Sequence, residues 1–547
     1  MAEEKTADAS AGVKPEYHPP KGSKKNLTSM ASGKLLSYEA EADWIILRKE
    51  EKPKAEMFYV RYFLDGAEVE AGAQGSGSSQ AATGGGTSTA IGGAASGHPG
   101  ATRPLTFVFN GGPGASSVYL HVGAVGPRRV TFRERGDPLP PPHVLVDNDE
   151  TWLQFTDLVF IDPIGTGLSR MIPDDKKDEK KAEETKDVEY WKIKRDLEAM
   201  GEFIRSFLSK FHRWESPIWI TGESYGGFRV AKLAKSLQQD YGVGLAGAIM
   251  LSPALEFGLL DGSDYDALMW LDSFATMAGA AAFHGKARKL KEGEDHGDYM
   301  ERACDFALND LLPVLAGGEL VGEAKHDRVL DAAADWIGIP RPVMRAKAGR
   351  VRIDWFVKNL LRDEGLILGL YDASATVKDP YPDRDGWSGP DPTLHVVERV
   401  FASGVNAQIR STIGLESERD YSLLSDEVNE SWKDDTKKHV LEAQIGATDD
   451  LRYGMSLNPD MKVWISHGVY DLVTPFYATE RIARLMKLDP ERRKMLTIKH
   501  YPGGHMFYMW KESRRAFFED MRRLYEGRGL FALAEAVARE GKPEAGD

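Results

Sequence analysis

Five short apolar runs alternate with helical patterns along the chain, and this alternation constrains the fold more than any other feature. The runs are rich in β-branched and aromatic residues and carry no polar alternation: LTFVF (105–109), LVFI (158–161), IWI (218–220), AIML (248–251) and VWIS (463–466). Strands that are covered on both faces require such uninterrupted apolar sequence. Helical patterns at 191–211 and 230–241 separate some of these runs. The alternation predicts an α/β fold with a mostly parallel central sheet.

The length and charge of the chain narrow the class of protein. At 547 residues it exceeds the usual size of one domain, so we expect one large core with an insertion, or two domains. The net charge of −14 disfavours a nucleic-acid surface, which needs clustered cations. No run of about eighteen apolar residues occurs, so no membrane-spanning helix is expected. Cys304 is the single cysteine, which excludes an intrachain disulfide.

Changes in composition divide the chain into an arm, a core in two parts and an insertion. Residues 1–36 are polar, with scattered Pro, Gly and Lys, and we expect a poorly ordered N-terminal arm. The first part of the core spans 37–262 and includes a Gly/Ser-rich tract at 71–102, whose composition suits a flexible loop. Helix-like sequence from 263–440 predicts a large, mainly helical cap insertion over the site. The strand–helix pattern resumes in the second part of the core, 441–547.

A serine between glycines stands where a strand is expected to turn into a helix. The segment TGESYGG (221–227) follows the apolar run PIWI, and Val230, Leu233 and Leu237 recur after it at helical spacing. The segment fits the G-x-S-x-G pattern in a strand–turn–helix context, where glycines permit a sharp turn that exposes the serine hydroxyl. Ser224 is therefore the predicted nucleophile.

An aspartate and a histidine after later strands complete a candidate triad with this serine. A serine nucleophile needs a base, and the base needs an orienting carboxylate. Asp471 comes just after the strand in KVWISHGVYDLVTP, and His505 follows the next strand in the Gly-rich loop of LTIKHYPGGHMFY. His467 and His500 lie within or at the end of these strands and are interpreted as packed or surface residues. The order serine, acid, histidine is that of the α/β-hydrolase fold.

A glycine-rich segment after an early strand supplies candidates for an oxyanion hole. The segment NGGPGASS (110–117) follows LTFVF, and its glycines let backbone N–H groups turn toward a reacting carbonyl. We assign the amides of Gly112 and Tyr225 to this role.

Five motifs in this order resemble the serine carboxypeptidases, peptidase family S10, an α/β-hydrolase branch that removes C-terminal residues from peptides. The motifs are FNGGPGASS, FIDPIGTGLS, GESYGG, GVYDLVTP and GGHM. They cover most of the chain except the N-terminal arm and the Gly/Ser-rich tract. The cap sequence, including FATMAGAAAFHGKA and VNESW, is similar to that of bacterial members. The resemblance implies hydrolysis of the C-terminal bond of a peptide substrate through the triad and an acyl-enzyme.

The resemblance also implies a site for the terminal carboxylate of the substrate, formed by Asn110, Gly111 and Glu223. Glu223 can share a proton with a substrate carboxyl only while one of the two is protonated, because like charges at contact cannot both ionise cheaply. Activity favoured by acid is therefore expected.

Three positions depart from the family pattern. Val108 stands where members usually carry Trp, Ala124 where a carboxylate is expected, and Ala115 where a cysteine is expected. A chain without disulfides accounts for Ala115. The other two keep open a related serine esterase or acyltransferase with the same triad. A binding protein that has lost the chemistry is a third alternative, which the intact triad disfavours.

The remaining expectations concern cofactors, assembly and compartment. Neither an H-E-x-x-H nor a C-x-x-C motif occurs and the histidines are dispersed, so we expect no metal and no other cofactor. The sequence leaves the oligomeric state open. The N-terminus MAEEKTADAS lacks the basic and apolar regions of a secretory signal. We expect a cytoplasmic protein if the chain is complete, and a periplasmic or secreted one if it has been trimmed.

Overall fold

The computed structural model describes residues 17–65, 103–172, 188–260, 262–387, 391–435 and 445–527. The flexible loop predicted at 71–102 lies outside these ranges, and so do residues 1–16 of the predicted arm.

Strands and helices alternate along much of the described chain. The strands are β1 (Ser23–Ala31), β2 (Lys34–Lys49), β3 (Lys52–Leu64), β4 (Leu105–Phe109), β5 (Arg128–Val130), β6 (Leu145–Asp147), β7 (Asp157–Ile161), β8 (Arg170–Met171), β9 (Ile218–Glu223), β10 (Leu245–Leu251), β11 (Leu366–Leu368), β12 (Thr376–Lys378), β13 (Lys462–Gly468) and β14 (Leu496–Tyr501). The α-helices are α1 (Val118–Leu120), α2 (Ile193–Lys210), α3 (Tyr225–Gln239), α4 (Leu268–Phe283), α5 (His296–Phe306), α6 (Leu312–Gly317), α7 (Glu323–Ile337), α8 (Arg341–Ala346), α9 (Ile353–Asn359), α10 (His395–Asn406), α11 (Asp426–Ser431), α12 (Thr448–Leu457), α13 (Phe476–Leu485), α14 (Pro490–Lys494) and α15 (Lys511–Glu526).

The order of the strands in the large sheet identifies the fold. The strands lie in the order β1-β2-β3-β7-β4-β9-β10-β13-β14, and β8 pairs with β3 beside this path. Neighbours from β7 to β14 are parallel, whereas β1, β2, β3 and β7 pair antiparallel. The segment TGESYGG, which holds the predicted nucleophile, lies between a central parallel strand and the following helix, as in α/β-hydrolases. This sheet confirms the predicted α/β-hydrolase fold with its mostly parallel centre.

The structure corrects the expectation of a poorly ordered arm for residues 23–36. Strand β1 pairs along its whole length with β2, from Ser23 opposite Ala42 to Ala31 opposite Lys34. The two-residue turn between the strands has positive φ at both positions, 50° at Ser32 and 76° at Gly33. Such turns match the twist of paired strands and fix a hairpin. The polar composition of this segment follows from its place at the sheet edge, where most of its side chains face solvent.

Buried side chains cover both faces of the large sheet. In β4, Val108 belongs to one apolar cluster, whereas Phe107 and Phe109 belong to another. Phe203 of α2 packs in the second cluster, and Phe517 of α15 packs in the first. The central strands are rich in apolar residues because helices or loops cover each face.

The described chain between β10 and β13 is mainly helical. Helices α4 to α12 and the β11–β12 ribbon lie in this part. A third apolar cluster forms among these helices and includes Leu271, Phe274, Leu330 and Trp336, and Tyr470 beyond β13 joins it. The limits 263–440 and the role of this part as a cap stay predictions.

Candidate active site

All the predicted site residues lie at the carboxyl ends of strands in the large sheet. In parallel strands these ends meet at one edge, where α/β proteins form their sites. The residues and the strands that carry them are Asn110, Gly111 and Gly112 after β4, Glu223, Ser224 and Tyr225 at the end of β9, Asp471 after β13 and His505 after β14.

Ser224 occupies a strained turn between β9 and α3. Its φ of 61° and ψ of −126° are rare for a residue with a side chain, and such conformations cluster at functional sites. Its backbone N–H donates to the carbonyl of Leu251 over 2.9 Å. A Cβ at Gly222 would lie 2.2 Å from the carbonyl oxygen of Gly226, so only glycine permits this turn. The hydroxyl of a half-buried serine is thereby held at the start of a helix.

Asp471 and His505 are in direct contact. Oδ2 of Asp471 lies 2.7 Å from Nδ1 of His505, and Asp471 is fully buried. Oδ1 of Asp471 accepts hydrogen bonds from the backbone of Val473 and Thr474 at 2.8 and 3.1 Å. The hydroxyl of Thr474 donates to Oδ2 over 2.6 Å. These donors fix the carboxylate, and the carboxylate fixes the ring so that Nε2 is left for proton transfer.

The electrostatics of His505 suit a base that becomes a cation during reaction. Burial lowers the pKa of His505, but the charge and hydrogen bond of Asp471 outweigh burial, so the pKa lies above its ordinary value. The carbonyl of His505 accepts a hydrogen bond from the hydroxyl of Ser252 over 2.9 Å. Since Leu251 binds Ser224 and its neighbour Ser252 binds His505, the end of β10 ties the serine turn to the histidine loop.

Gly111 brings the loop after β4 against the first amides of α3. A Cβ at Gly111 would lie 2.4 Å from the backbone nitrogen of Tyr225 and 2.5 Å from that of Gly226. Gly112 has φ of 97°, a conformation that favours glycine. The glycines therefore permit the close approach of two segments whose N–H groups are candidates for an oxyanion hole.

A buried ion pair supports this loop from behind. Arg229 of α3 is fully buried and holds Asp196 of α2 through two hydrogen bonds, of 2.7 and 3.1 Å. Its Nη1 donates to the carbonyl of Asn110 over 2.7 Å. The pair thus fixes the backbone position of Asn110 relative to the helix that begins at the serine.

Glu223 lies beside the serine in a buried polar cluster. Its Oε2 accepts hydrogen bonds from the amide of Asn110 and, over 3.0 Å, from the hydroxyl of Tyr508. Its Oε1 has no partner among the described residues. Burial raises the pKa of Glu223 to about 7, although the charge of His505 and the two donors oppose this rise. Glu223 is therefore largely protonated in mildly acidic solution.

Sequence reasoning did not identify three of these contributors, Thr474, Arg229 and Tyr508. Tyr508 stands three residues after His505 in an aromatic run that reads as core, and Arg229 sits in an ordinary amphipathic helix pattern. No sequence signal distinguishes either of them. Thr474 could have been noticed, because hydroxyl residues soon after an acidic residue commonly bond its carboxylate.

Part of the chain between β10 and β13 also contacts the glycine loop. The backbone N–H of Ser425 donates to the carbonyl of Gly114 over 2.9 Å. The side-chain amide of Asn429 donates to the carbonyl of Pro113, also over 2.9 Å. The segment around α11 therefore braces the loop that follows β4.

Two of the three departures from the family pattern, Val108 and Ala124, bear on the substrate and lie in apolar surroundings. Val108 and Ala124 are both buried in the first apolar cluster of the sheet. Neither position offers a polar group to a ligand.

The described ranges contain neither a metal-binding cluster nor a membrane-spanning helix. His, Cys, Asp and Glu side chains form no group of three there that could hold a metal ion. None of the helices in those ranges combines the length and apolar character needed to cross a bilayer.

Comparisons with known proteins connect the chain to one family. The family model described as serine carboxypeptidase matches residues 94–251. Serine carboxypeptidase-like 45 of Arabidopsis thaliana is 30% identical over 164 residues, which are 28% of this chain and 31% of the relative. Pheromone-processing carboxypeptidase KEX1 of Tuber melanosporum is 32% identical over 144 residues, 25% of this chain and 19% of the relative. The chain thus matches less than a third of the length of these curated relatives.

Some solved structures show a weaker likeness to the chain. An acetylester hydrolase from Corynebacterium glutamicum superposes with a TM-score of 0.36 at 12% identity, over 90% of this chain and 97% of the other. A proline iminopeptidase from Mycobacterium smegmatis superposes with a TM-score of 0.30 at 12% identity, over 79% of this chain and 92% of the other.

Proposed function

We propose that the chain is a serine carboxypeptidase that hydrolyses the C-terminal peptide bond of peptides, because residues 94–251 match the serine carboxypeptidase family model and the curated relatives are named as carboxypeptidases. The observation that carries the proposal concerns Glu223, which directly precedes the strained Ser224. Glu223 is buried, and only one of its two carboxyl oxygens has a hydrogen-bond partner among the described residues. A carboxyl group with one free oxygen beside a nucleophile is suited to hold a second carboxyl close to the scissile bond.

In this proposal the reaction follows the triad scheme. Ser224 attacks the last peptide carbonyl while Nε2 of His505 takes its proton, and Asp471 stabilises the imidazolium through the 2.7 Å contact. The amides of Gly112 and Tyr225 stabilise the tetrahedral oxyanion. His505 then protonates the departing amine, which leaves an acyl-enzyme on Ser224. Water activated by His505 hydrolyses this ester and restores the hydroxyl.

The terminal carboxylate of the substrate is bound, in this proposal, by Asn110, Gly111 and Glu223. A protonated Glu223 donates a hydrogen bond from its free Oε1 to the substrate carboxylate. Above pH 7 both groups are charged, and binding weakens. The support is the raised pKa of Glu223 together with the Asn110 amide, which occupies its other oxygen.

The chain at 263–440 serves in this proposal as a cap that selects peptides. Its support is the contact of Ser425 and Asn429 with the glycine loop at Gly114 and Pro113. A segment in contact with that loop can restrict which peptides reach the serine.

A serine esterase or acyltransferase with the same triad is the second candidate function. Val108 and Ala124 favour it, because both place apolar side chains where carboxypeptidases of this family carry Trp and a carboxylate. The two candidates differ only in the leaving group and in the acceptor of the acyl group.

The test is release of the last residue from an N-blocked dipeptide between pH 5 and 8, beside its C-terminal amide. We expect cleavage of the free acid, strongest at acidic pH, and none with Ser224→Ala. Cleavage of an activated ester through Ser224, without cleavage of either peptide, would replace the carboxypeptidase with the esterase or acyltransferase.

A further inference from the structure

Two buried polar atoms near the serine have no hydrogen-bond partner among the described residues. One is Oε1 of Glu223. The other oxygen of this carboxyl, Oε2, accepts hydrogen bonds from Asn110 and Tyr508. The other is the hydroxyl of Tyr119, a residue only 4% exposed. Buried polar groups in folded proteins are nearly always paired. These two atoms belong to residues around the candidate carboxylate site, where a bound ligand could supply their partners.

Tyr119 is fixed to the carboxylate-binding residues through the backbone. It lies in α1, and the next residue, Leu120, donates its N–H to Oδ1 of Asn110 over 3.1 Å. The same Asn110 donates through its amide nitrogen to Glu223. One asparagine thus couples the position of α1 to the position of the Glu223 carboxyl.

The Tyr119 ring and the Tyr508 ring are connected by packing through Phe401 and Gly123. It packs edge-on against Phe401 of α10, with ring centroids 4.9 Å apart. Gly123, one helical turn after Tyr119, fits between the same Phe401 and Tyr508: a Cβ there would lie 2.8 Å and 3.3 Å from their rings. The Tyr508 hydroxyl binds Glu223, so packing through Phe401 and Gly123 connects the Tyr119 ring to the ring that contacts Glu223.

The electrostatics agree with this placement. Burial raises the pKa of Tyr119, and the charges of Glu398, Tyr371 and Glu223 raise it further. The charge of Glu223 is therefore close enough to act on the hydroxyl. A phenol with such a pKa keeps its proton throughout the working range and is available as a donor.

We propose that the Tyr119 hydroxyl donates a hydrogen bond to the terminal carboxyl of the peptide substrate. A carboxyl has two oxygens: protonated Glu223 donates to one, and Tyr119 donates to the other. This inference rests on the proposed function, because it adds a binding residue to the same site. It identifies a source of selectivity for free carboxyl termini in a chain that carries Val108 and Ala124.

The test is a binding measurement that does not depend on turnover. In Ser224→Ala protein at pH 5.5, titration calorimetry compares an N-blocked dipeptide ending in Phe with the matching phenethylamide, which keeps the ring and lacks the carboxyl. Adding Tyr119→Phe removes one hydroxyl and keeps the ring against Phe401. We expect affinity for the acid to fall about tenfold or more, as for a lost hydrogen bond to a charged group, with no change for the phenethylamide.

Tyr38→Phe is the matched control, since Tyr38 is equally buried but lies in β2, and it should change neither affinity. Unchanged affinity for the acid in Tyr119→Phe would overturn the inference, and an equal loss for both ligands would assign Tyr119 to packing instead. In either case the Ser224→Ala protein would still prefer the acid to the phenethylamide. Absence of that preference in the Ser224→Ala protein itself would overturn the proposed function and the inference together.

Discussion

The substitution Glu223→Gln should remove a pH-dependent loss of stability that the carboxyl group of Glu223 causes in the wild-type protein. Burial raises the pKa of this carboxyl from 4.5 to about 7. Between these values the folded state holds a proton that the unfolded chain has released. A state that binds more protons loses stability as pH rises, so the wild-type protein becomes less stable through this window and levels off above pH 7.

The size of the effect follows from the same pKa values. Each unit of pKa difference corresponds to about 1.4 kcal/mol, so a rise from 4.5 to about 7 amounts to roughly 3 kcal/mol in full. About 2 kcal/mol of this falls between pH 5.5 and 8, where the measurement is practical. Glu223→Gln has nearly the same shape and no charge. We compare the free energy of unfolding of Glu223→Gln with that of the wild type at each pH. The difference, variant minus wild type, should be about 2 kcal/mol larger at pH 8 than at pH 5.5.

We would measure this difference by urea unfolding of the two proteins at four pH values. The fluorescence of the twelve tryptophans reports the unfolding. Titrations elsewhere in the chain cancel, because both proteins share them. Glu215→Gln is the matched control, because it makes the same chemical change at an exposed position. A wild-type and a Glu223→Gln curve that run parallel from pH 5.5 to 8 would refute the assignment of a raised pKa to Glu223.

Three further substitutions test separate parts of the site. Asp471→Asn should lower kcat by about 10⁴-fold with little change in KM, because the histidine loses its orientation and charge partner; steady-state kinetics showing less than a tenfold loss would contradict this. Gly111→Ala places a Cβ 2.4 Å from the backbone nitrogen of Tyr225, so kcat should fall about 10²- to 10³-fold as the oxyanion donors move, while the melting temperature changes less than in a core variant. Arg229→Met leaves Asp196 buried and unpaired, and it should lower the free energy of unfolding in urea by about 3–5 kcal/mol. Adding Asp196→Leu should recover part of that loss, whereas a further loss would argue against an ion pair.

The sheet and the positions of the candidate triad could be predicted because both are local in sequence. The central strands contain apolar runs, and Ser224 and Asp471 each follow such a strand within a few residues. His505 follows the next strand, β14, at a similar distance. Parallel strands bring their carboxyl ends together whatever the intervening chain does. The prediction therefore needed no knowledge of how distant side chains pair.

The supporting contacts could not be predicted because they join segments far apart in sequence. Arg229 meets Asp196 across 33 residues, and Asn429 meets Pro113 across 316. Strand β1 was missed for a related reason. An edge strand is stabilised by backbone hydrogen bonds to its neighbour and by its turn, so its side chains need not be apolar.

The carboxyl groups of Asp471 and Glu223 differ in what surrounds them. Asp471 receives hydrogen bonds on both oxygens, from Val473, Thr474 and His505. Glu223 receives donors on one oxygen, and the other oxygen lies buried with no partner among the described residues. The free oxygen of Glu223 belongs to the residue directly before Ser224, where the proposed function places the terminal carboxyl of the substrate, so a bound peptide would complete its hydrogen bonding.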